Sequence, residues 1–224
     1  MITPWIEQPI HFLDFEGSIA TGIVEYGLVT LQHGAVVETA TRLCRPSGKL
    51  RVEDIEVHGL DDTMLADTQP LSDDFAQFMA WRETGPLAAH FAGTENSLLK
   101  SVWPYPRTAP DFTRPGRPAN DWGPWIDTGS LYRQIYPQLE SYKLAEVVAV
   151  CGLQGELDEL AARYCPPDRC QYHAALYDAL AGAVLLLYLA REPQIAAFSL
   201  MQLLALSTLD GGKRDALQQG SLFD

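Results

Sequence analysis

The sequence contains no apolar run long enough to cross a bilayer. Its two most apolar segments, residues 181–190 and 195–206, are both shorter than the roughly 20 residues that a membrane helix needs, and charged residues and a proline separate them. No basic segment followed by an apolar one opens the chain, so we expect no secretory leader. Both absences predict a cytoplasmic protein in which these apolar segments are buried helices.

Cysteine is also scarce. A chain of 224 residues is long enough to fold around one hydrophobic core without disulfide bonds, so we expect a single domain with reduced thiols. The four cysteines are Cys44, Cys151, Cys165 and Cys170.

Two of these cysteines raise the question of zinc. Cys165 and Cys170 lie close to His173 in the stretch CPPDRCQYH. A structural zinc site normally has four ligands, and the sequence offers no evident fourth. We therefore disfavour zinc, and expect Cys44 and Cys151 to be ordinary core residues.

Basic residues are outnumbered by acidic ones, 16 to 29, which gives a net charge of −13. Such a surface repels the phosphate backbone and argues against broad, charge-driven binding to nucleic acid. A nucleic-acid partner must therefore be met locally, through metal ions or a confined basic patch, or be delivered by another protein.

The first third of the chain is rich in β-strand patterns. A short apolar segment, PIHFLDF, precedes two β-branched runs, and His33 and Gly34 between those runs predict a hairpin. Later strands are predicted at residues 85–90 and 125–130, alternating with helices. This order predicts an α/β protein whose mixed sheet has three sequential antiparallel strands, then parallel strands, with helices on both faces.

Helical spacing and turn residues predict the remaining elements. Ser72 is a candidate cap for a helix that contains Phe75 and Phe78, and residues 104–118 are so rich in proline that we expect a long surface loop. The other predicted helices are residues 95–103, 143–153, 156–165, 173–190 and 193–209.

Two carboxylates end the first predicted strand, in the stretch LDFEGS. Because side chains at i and i+2 share one face of a strand, Asp14 and Glu16 point the same way while Phe15 enters the opposite layer. Hard cations such as Mg²⁺ prefer such carboxylate oxygens. Taken alone, the stretch is equally consistent with a solvated turn.

Three further residues have the chemistry of a site. His173 and Asp178 are five residues apart, about 140° on an ideal helix, so they face one site only if His173 lies at or before the helix start. Glu95 opens a helix after a predicted strand, where the helix dipole also favours an acid. Each residue alone has an ordinary structural explanation.

Together these motifs resemble those of the DEDDh branch of the DnaQ-like 3′-to-5′ exonucleases, which includes the proofreading subunit of bacterial DNA polymerase III. The D-x-E motif matches Asp14 and Glu16, and H-x-x-x-x-D matches His173 and Asp178. The second motif, resembling H-N-x-x-F-D-x-x-x-L, falls on HFAGTENSLL with Glu95 where Asp is usual. The resemblance covers residues 9–190, and its intermediate features are VHGL (57–60), IDT (126–128) and YKLAEV (142–147).

The resemblance implies a ribonuclease-H-like fold and hydrolysis assisted by two Mg²⁺ or Mn²⁺ ions. One ion would activate water and the other would stabilise the leaving 3′ oxygen, with His173 as general base. The implied substrate is the 3′ end of a nucleic acid, and we expect single-stranded DNA. The metal ligands that the resemblance implies are Asp14, Glu16, Glu95 and Asp178.

The second motif departs from the family in two places. Phe91 stands where Asn is usual, and Glu95 adds a methylene to the usual Asp. Misplacing a metal ligand on this scale can cost about 100-fold in rate. A binding module with weak or no turnover is therefore one alternative, and a 3′-to-5′ exoribonuclease is another.

Two surface segments offer candidate contacts. Arg107, Arg114 and Arg117 are the densest local positive charge, and with nearby aromatic residues they could grip a single strand, although a solvated loop explains them equally well.

The C-terminal QGSLF resembles the short peptide by which bacterial replication and repair proteins bind the sliding clamp. We expect an exonuclease domain at residues 1–209 and a flexible tail at 210–224. The tail's candidate contacts are Gln219, Ser221, Leu222 and Phe223.

Overall fold

The computed structural model describes residues 3–114 and 116–208 of the chain. A mixed sheet of five strands lies at its centre, in the order β3-β2-β1-β4-β7, and β5 and β6 form a separate two-stranded sheet. The strands are β1 (Ile10–Ser18), β2 (Gly22–Gln32), β3 (Ala35–Leu43), β4 (Leu87–Ala89), β5 (Ala109–Pro110), β6 (Pro118–Ala119) and β7 (Ile126–Asp127).

The helices lie between and after these strands. Short 3₁₀ turns occur at Trp5–Glu7 and Leu71–Asp74. The α-helices are α1 (Val52–His58), α2 (Asp62–Leu65), α3 (Phe75–Thr84), α4 (Ala92–Val102), α5 (Thr128–Ile135), α6 (Leu144–Val150), α7 (Gln154–Tyr164), α8 (Ala175–Leu189), α9 (Pro193–Ala196) and α10 (Leu200–Leu206).

The strand pairing confirms the predicted fold class. β1, β2 and β3 pair antiparallel in sequence order, and the hairpin between β2 and β3 turns at His33 and Gly34, both with positive φ. β4 then pairs parallel with β1, and β7 pairs parallel with β4. Parallel pairing needs crossover connections, which the intervening helices supply.

The two faces of the sheet pack against different helices. Phe12 of β1 belongs to a core that includes the apolar side of α8, whereas Leu13 and Phe15 pack with Phe78 of α3 on the other face. The alternation along β1 therefore places Asp14 and Glu16 on the α8 face and Phe15 on the opposite one, as predicted.

Glycine sets the closest approach of α8 to the sheet. A Cβ atom at Gly27 of β2 would lie 2.2 Å from the main-chain nitrogen of Leu176 and 2.3 Å from the carbonyl of Ala175. The first turn of α8 thus rests directly on the β2 backbone, where any larger residue would push it away.

Two predicted helices differ from those observed. Ser72 does not cap α3, because a 3₁₀ turn includes it and α3 begins three residues later, at Phe75. The single helix predicted at 193–209 is divided within the described residues: α9 ends at Ala196 and Ser199 starts α10 with a capping box. The Ser199 side chain accepts from the Gln202 amide, which favours a new helix start over continuation.

The predicted surface loop is more ordered than its composition suggested. Within residues 104–118, β5 pairs with β6, so this part of the prediction was incomplete. Buried Arg82 of α3 anchors the segment, because its guanidinium donates to the carbonyl oxygens of Pro110, Trp122 and Gly123 at 2.9 to 3.1 Å. Across residues 3–114 and 116–208, no helix is both long and apolar enough to cross a membrane.

Replacing Gly27 with alanine should destabilise the fold. The added methyl group meets main-chain atoms that cannot rotate away, so we expect the free energy of unfolding in urea to fall by roughly 1–3 kcal/mol. Gly155→Ala in α7 is the matched control, because no heavy atom lies within 4 Å of its added Cβ. Equal stability of the two variants would contradict the close packing of α8 on β2.

Candidate active site

The candidate site begins where β1 extends beyond its parallel neighbour. β4 pairs with β1 only at His11 and Phe12, so the following residues of β1 are not covered by β4. A register shift follows Glu16, where Gly17 has φ of 121° and leaves no room for a side chain against the Gly22 carbonyl. The strand thus ends in a tight irregular turn directly after the two acids.

Glu95 reaches this uncovered edge from the first turn of α4. Its side chain is buried, with 6% exposed, and its carboxylate accepts a hydrogen bond from the main-chain amide of Phe15, the residue between Asp14 and Glu16. Glu95 thus contacts the backbone of β1 between the two acids of the first motif.

His173 and Asp178 reach the site from the start of α8, on the same face of the sheet as Asp14 and Glu16. α8 begins at Ala175, so His173 precedes it, as the spacing required. His173 is exposed and has a left-handed φ of 64°, and its main-chain amide donates to Asp178 Oδ2 at 3.0 Å. Asp178 thus fixes the turn that presents the imidazole.

The side chains converge on one cluster. Glu16, His173 and Asp178 offer ligand atoms that all lie within 4.8 Å of one another. Asp14 is half-buried, and the charges of Asp178 and Glu16 raise the pKa of its carboxyl group. The charge of Asp178 also raises the pKa of Glu95, and that of Glu95 raises the pKa of Glu16. The structure therefore groups Glu16, His173 and Asp178 at metal-ligand spacing, with Asp14 and Glu95 near enough to interact with them through their charges.

Two oxygens of this cluster are suited to a cation. Glu95 Oε2 and Asp178 Oδ1 are buried and have no hydrogen-bond donor. A buried carboxylate oxygen without a partner is costly, and a divalent cation with carboxylate ligands would satisfy both. The donor set therefore fits a divalent metal site of the kind that the fold implies.

Burial and mutual repulsion raise the pKa values of these acids. Desolvation is the largest cause for each, and it raises the pKa of Glu16 and of Glu95 to about 8 and that of Asp178 to about 7. The pKa of Asp14 is also well above its ordinary value, through burial and then the charges of Glu95 and Asp178. Without metal, the site therefore holds protons near neutral pH.

A buried ion pair beside the cluster was not predicted. Glu25 of β2 is the cross-strand partner of Glu16, and its carboxylate pairs with the guanidinium of Arg169. Arg169 also donates to the carbonyl oxygens of His58 at 2.7 Å and His173 at 3.0 Å. One acidic residue inside the otherwise apolar run GIVEYGLV was the available signal for this pair.

The departure at Phe91 has a structural counterpart. Phe91 starts α4 with a left-handed φ of 61°, and its amide donates to Asp127 Oδ1 at 3.1 Å. Its ring packs on Gly129, where a Cβ would lie 2.5 Å away, and the Arg133 guanidinium lies 4.9 Å from its centroid. The ring of Phe91 is therefore held by contacts with Gly129 and Arg133 of α5.

The candidate zinc ligands do not form a metal cluster. Among the residues that the structure describes, the group with metal-ligand spacing contains His173 but no cysteine. Cys165 is buried and Cys170 is exposed, and all four thiols are free.

The three loop arginines are placed differently from one another. Arg114 pairs with Asp111 at 2.7 Å, and the Arg107 guanidinium lies over the Phe75 ring at 5.5 Å. Arg117 is exposed. The pairing of Arg114 reduces the positive charge available at this loop, and a role in strand binding stays a prediction.

An open groove adjoins the acids. Its volume is about 410 Å³, within the range of small-ligand pockets. One wall follows Glu16 directly and the other is the solvent side of α4 around Glu95. The lining residues are Gly17, Ser18, Ile19, Gly93, Thr94, Ser97 and Leu98.

Comparison with known proteins shows which proteins the chain resembles. No protein-family model matches the chain. A DNA polymerase III of PolC type from Thermotoga maritima is 28% identical over 131 residues, 58% of this chain, and the one from Bacillus subtilis is 24% identical over 170 residues, 76% of it. The aligned regions cover 9% and 10% of those polymerases.

Two solved exonuclease structures share the fold over nearly their whole length. Exonuclease X in complex with 5′-overhanging duplex DNA superposes with a TM-score of 0.63 and 20% identity, covering 89% of this chain and 99% of that one. The nuclease domain of 3′hExo, described as a DEDDh family member bound to rAMP, gives a TM-score of 0.63 and 14% identity, covering 87% and 97%. The chain is thus similar in fold to these exonucleases, and the predicted fold class is confirmed.

The raised pKa values predict how the stability of the metal-free protein depends on pH. Carboxyl pKa values near 7 to 8 in the folded state exceed those near 4 in the unfolded chain, so the folded protein binds more protons between these values. Its free energy of unfolding therefore falls as pH rises from about 5 to 8. In EDTA the melting temperature should fall across this range, and Mn²⁺ should reduce the fall.

Substitution of single acids isolates the effect. In EDTA at pH 8, Glu16→Gln and Glu95→Gln should each raise the melting temperature, by roughly 2–4 °C for each kcal/mol of relieved repulsion, and should weaken stabilisation by Mn²⁺. Exposed Glu159→Gln is the control and should change neither. Full Mn²⁺ stabilisation of Glu16→Gln would show that the metal binds elsewhere.

Proposed function

We propose that this chain is a metal-dependent 3′-to-5′ exonuclease that removes nucleotides from the 3′ end of single-stranded or frayed DNA. The observation that carries the proposal is the grouping of Glu16, His173 and Asp178 at metal-ligand spacing, next to two buried, unpartnered carboxylate oxygens of Glu95 and Asp178. The fold shared with exonuclease X over 99% of that protein supports it.

The metal ligands in this proposal are Asp14, Glu16, Glu95 and Asp178, with Mg²⁺ or Mn²⁺ as the ions. When bound, two such cations lower the pKa of water and neutralise charge on the phosphate and the leaving oxygen. Their combined positive charge would also offset the four carboxylates that otherwise repel the phosphate at this site.

The chain's own residues account for proton transfer and positioning. An unprotonated ring nitrogen of His173 takes the proton of the water that attacks the terminal phosphodiester, and the P–O3′ bond breaks to release a nucleoside 5′-monophosphate. The exposed turn before α8 gives the imidazole access to solvent and substrate. The groove beside Glu16 accommodates the terminal nucleotide, and Thr94 in its lining carries a hydroxyl group that can contact the sugar.

The choice between DNA and RNA rests on weaker support. Exonuclease X was solved with DNA, whereas another similar structure, with a TM-score of 0.64 and 14% identity, concerns recognition of a histone mRNA stem-loop by a 3′-exonuclease. We favour DNA because the polymerases matched by sequence are DNA polymerases. Matched 5′-labelled DNA and RNA strands, assayed together, distinguish the two.

His173→Asn tests the general base. The wild type with Mn²⁺ should shorten a 5′-labelled DNA strand from its 3′ end, and this variant should lower kcat by about 10²- to 10⁴-fold. His33→Asn is the matched control, because His33 also has a positive φ, of 53°, and lies in the β2–β3 hairpin. A wild type that binds DNA but does not shorten it in Mn²⁺ would establish the binding-module alternative.

Glu95→Asp tests whether the longer acid is the working ligand. Shortening the side chain withdraws the carboxylate from the Phe15 amide, so we expect kcat to fall by about 10- to 100-fold. Glu95→Gln, which keeps the length but not the charge, should weaken Mn²⁺ binding in calorimetry. Higher activity of Glu95→Asp would instead mark Glu95 as a decayed ligand.

We further propose that the tail, residues 210–224, binds a bacterial sliding clamp through Gln219, Ser221, Leu222 and Phe223. These residues lie outside the described part of the chain, and the support is the sequence match alone. Deleting residues 219–224 should abolish capture by immobilised clamp and leave the rate on a short oligonucleotide unchanged. Undiminished capture would disprove the clamp contact.

A further inference from the structure

Glu25 and Arg169 form a buried pair whose contacts go beyond one another. Their side chains are 3% and 9% exposed. The same Glu25 oxygen that pairs with Arg169 accepts the main-chain amide of Ala175 at 3.1 Å, at the first residue of α8. Arg169 donates to the His173 carbonyl at 3.0 Å and to the His58 carbonyl at 2.7 Å. The pair therefore joins β2, α1 and both ends of the turn that carries His173.

The turn needs such support because its backbone is unfavourable. His173 has a left-handed φ of 64°, a conformation that costs a non-glycine residue about 1 kcal/mol or more. Its amide is bound by Asp178 and its carbonyl by Arg169. The main chain of His173 is thus held on both sides, while its side chain is exposed to solvent.

We propose that Glu25 and Arg169 are positioning residues that hold the imidazole of His173 toward Glu16 and Asp178. The proposal rests on the proposed function, in which His173 is the general base. Neither residue is assigned contact with the substrate. Their effect passes through the main chain of residues 173–175, which carries the imidazole at one end and the start of α8 at the other.

Electrostatics gives a reason for using an ion pair here. Glu25 is the cross-strand neighbour of Glu16, and two adjacent buried carboxylates on one face repel each other. Arg169 lowers the pKa values of Glu16 and Asp178, opposite to the effect of Glu25. The positive charge of Arg169 therefore offsets the negative charge of Glu25. As a result, Glu25 does not act on the proposed metal ligands as an uncompensated charge.

A double substitution separates positioning from stability. Arg169→Met alone leaves Glu25 as an unpaired buried charge, so the melting temperature should fall by about 10 °C. Glu25→Gln combined with Arg169→Met removes both charges and keeps an acceptor for the Ala175 amide, so most of that loss should be recovered. We expect kcat of the double variant to stay about 100-fold below wild type, with KM changed less than about 3-fold.

A readout that does not depend on activity tests the same point. In wild type, paramagnetic Mn²⁺ at the carboxylates should broaden the His173 ring signals in NMR, because the ring lies within 4.8 Å of Glu16 and Asp178 ligand atoms. In the double variant the broadening should weaken while calorimetry still detects Mn²⁺ binding. His173→Asn assigns the signals, and those of exposed His33 should not change.

Arg82→Met is the matched control. Arg82 is also buried and also bound to carbonyl oxygens, but it anchors the 104–118 segment. It should lower the melting temperature while leaving kcat and the His173 broadening unchanged.

Wild-type kcat and wild-type broadening in the double variant would overturn the positioning role. Should the wild type prove inactive as a nuclease, the proposed function fails, and the broadening alone still decides whether the pair holds His173.

Discussion

Repulsion among buried carboxylates is the interaction on which the rest of this structure depends. Four acids from three elements meet at the end of β1, and a fifth, Glu25, lies across the strand from Glu16. Folding alone does not satisfy them, since one oxygen of Glu95 and one of Asp178 have no donor. Binding of protons or cations relieves the repulsion among these carboxylates. The stability of the fold is therefore coupled to the occupancy of the site.

Main-chain hydrogen bonds, rather than side-chain contacts between the acids, fix the geometry. The three intermediate sequence features each supply one. In VHGL, the His58 carbonyl binds Arg169; in IDT, the Asp127 carboxylate holds the amide of Phe91. In YKLAEV, the Tyr142 carbonyl accepts from His90 Nε2 at 2.7 Å, beside the start of α4. Segments far from the acids in sequence therefore secure both turns from which Glu95 and His173 project.

Sequence patterns were sufficient for the antiparallel start of the sheet and its later parallel pairing, whereas the five candidate site residues came from the resemblance of their combined motifs. The alternation along β1 and the spacing of His173 and Asp178 determine which side chains can face the same site, and the folded chain keeps these relations. Two local predictions were wrong. Ser72 lies within a 3₁₀ turn and does not cap α3, and the capping box at Ser199 starts a new helix within a run that looked uniformly apolar. The role of Glu25 was not predicted, because the strand pattern alone shows only one polar residue in an apolar run. Its partner, Arg169, is 144 residues away in the sequence.

Gly27 has no side chain, and this determines what sets the position of α8 above the sheet. The start of α8 rests on peptide atoms of β2, so the height of the helix above the sheet is set by backbone contact and not by side-chain volume. Substitutions in the surrounding apolar core can alter packing further along α8 without lifting Asp178 from its neighbours on β1. The spacing between Asp178 and the acids of β1 therefore depends on this backbone contact more than on the volume of the side chains around it.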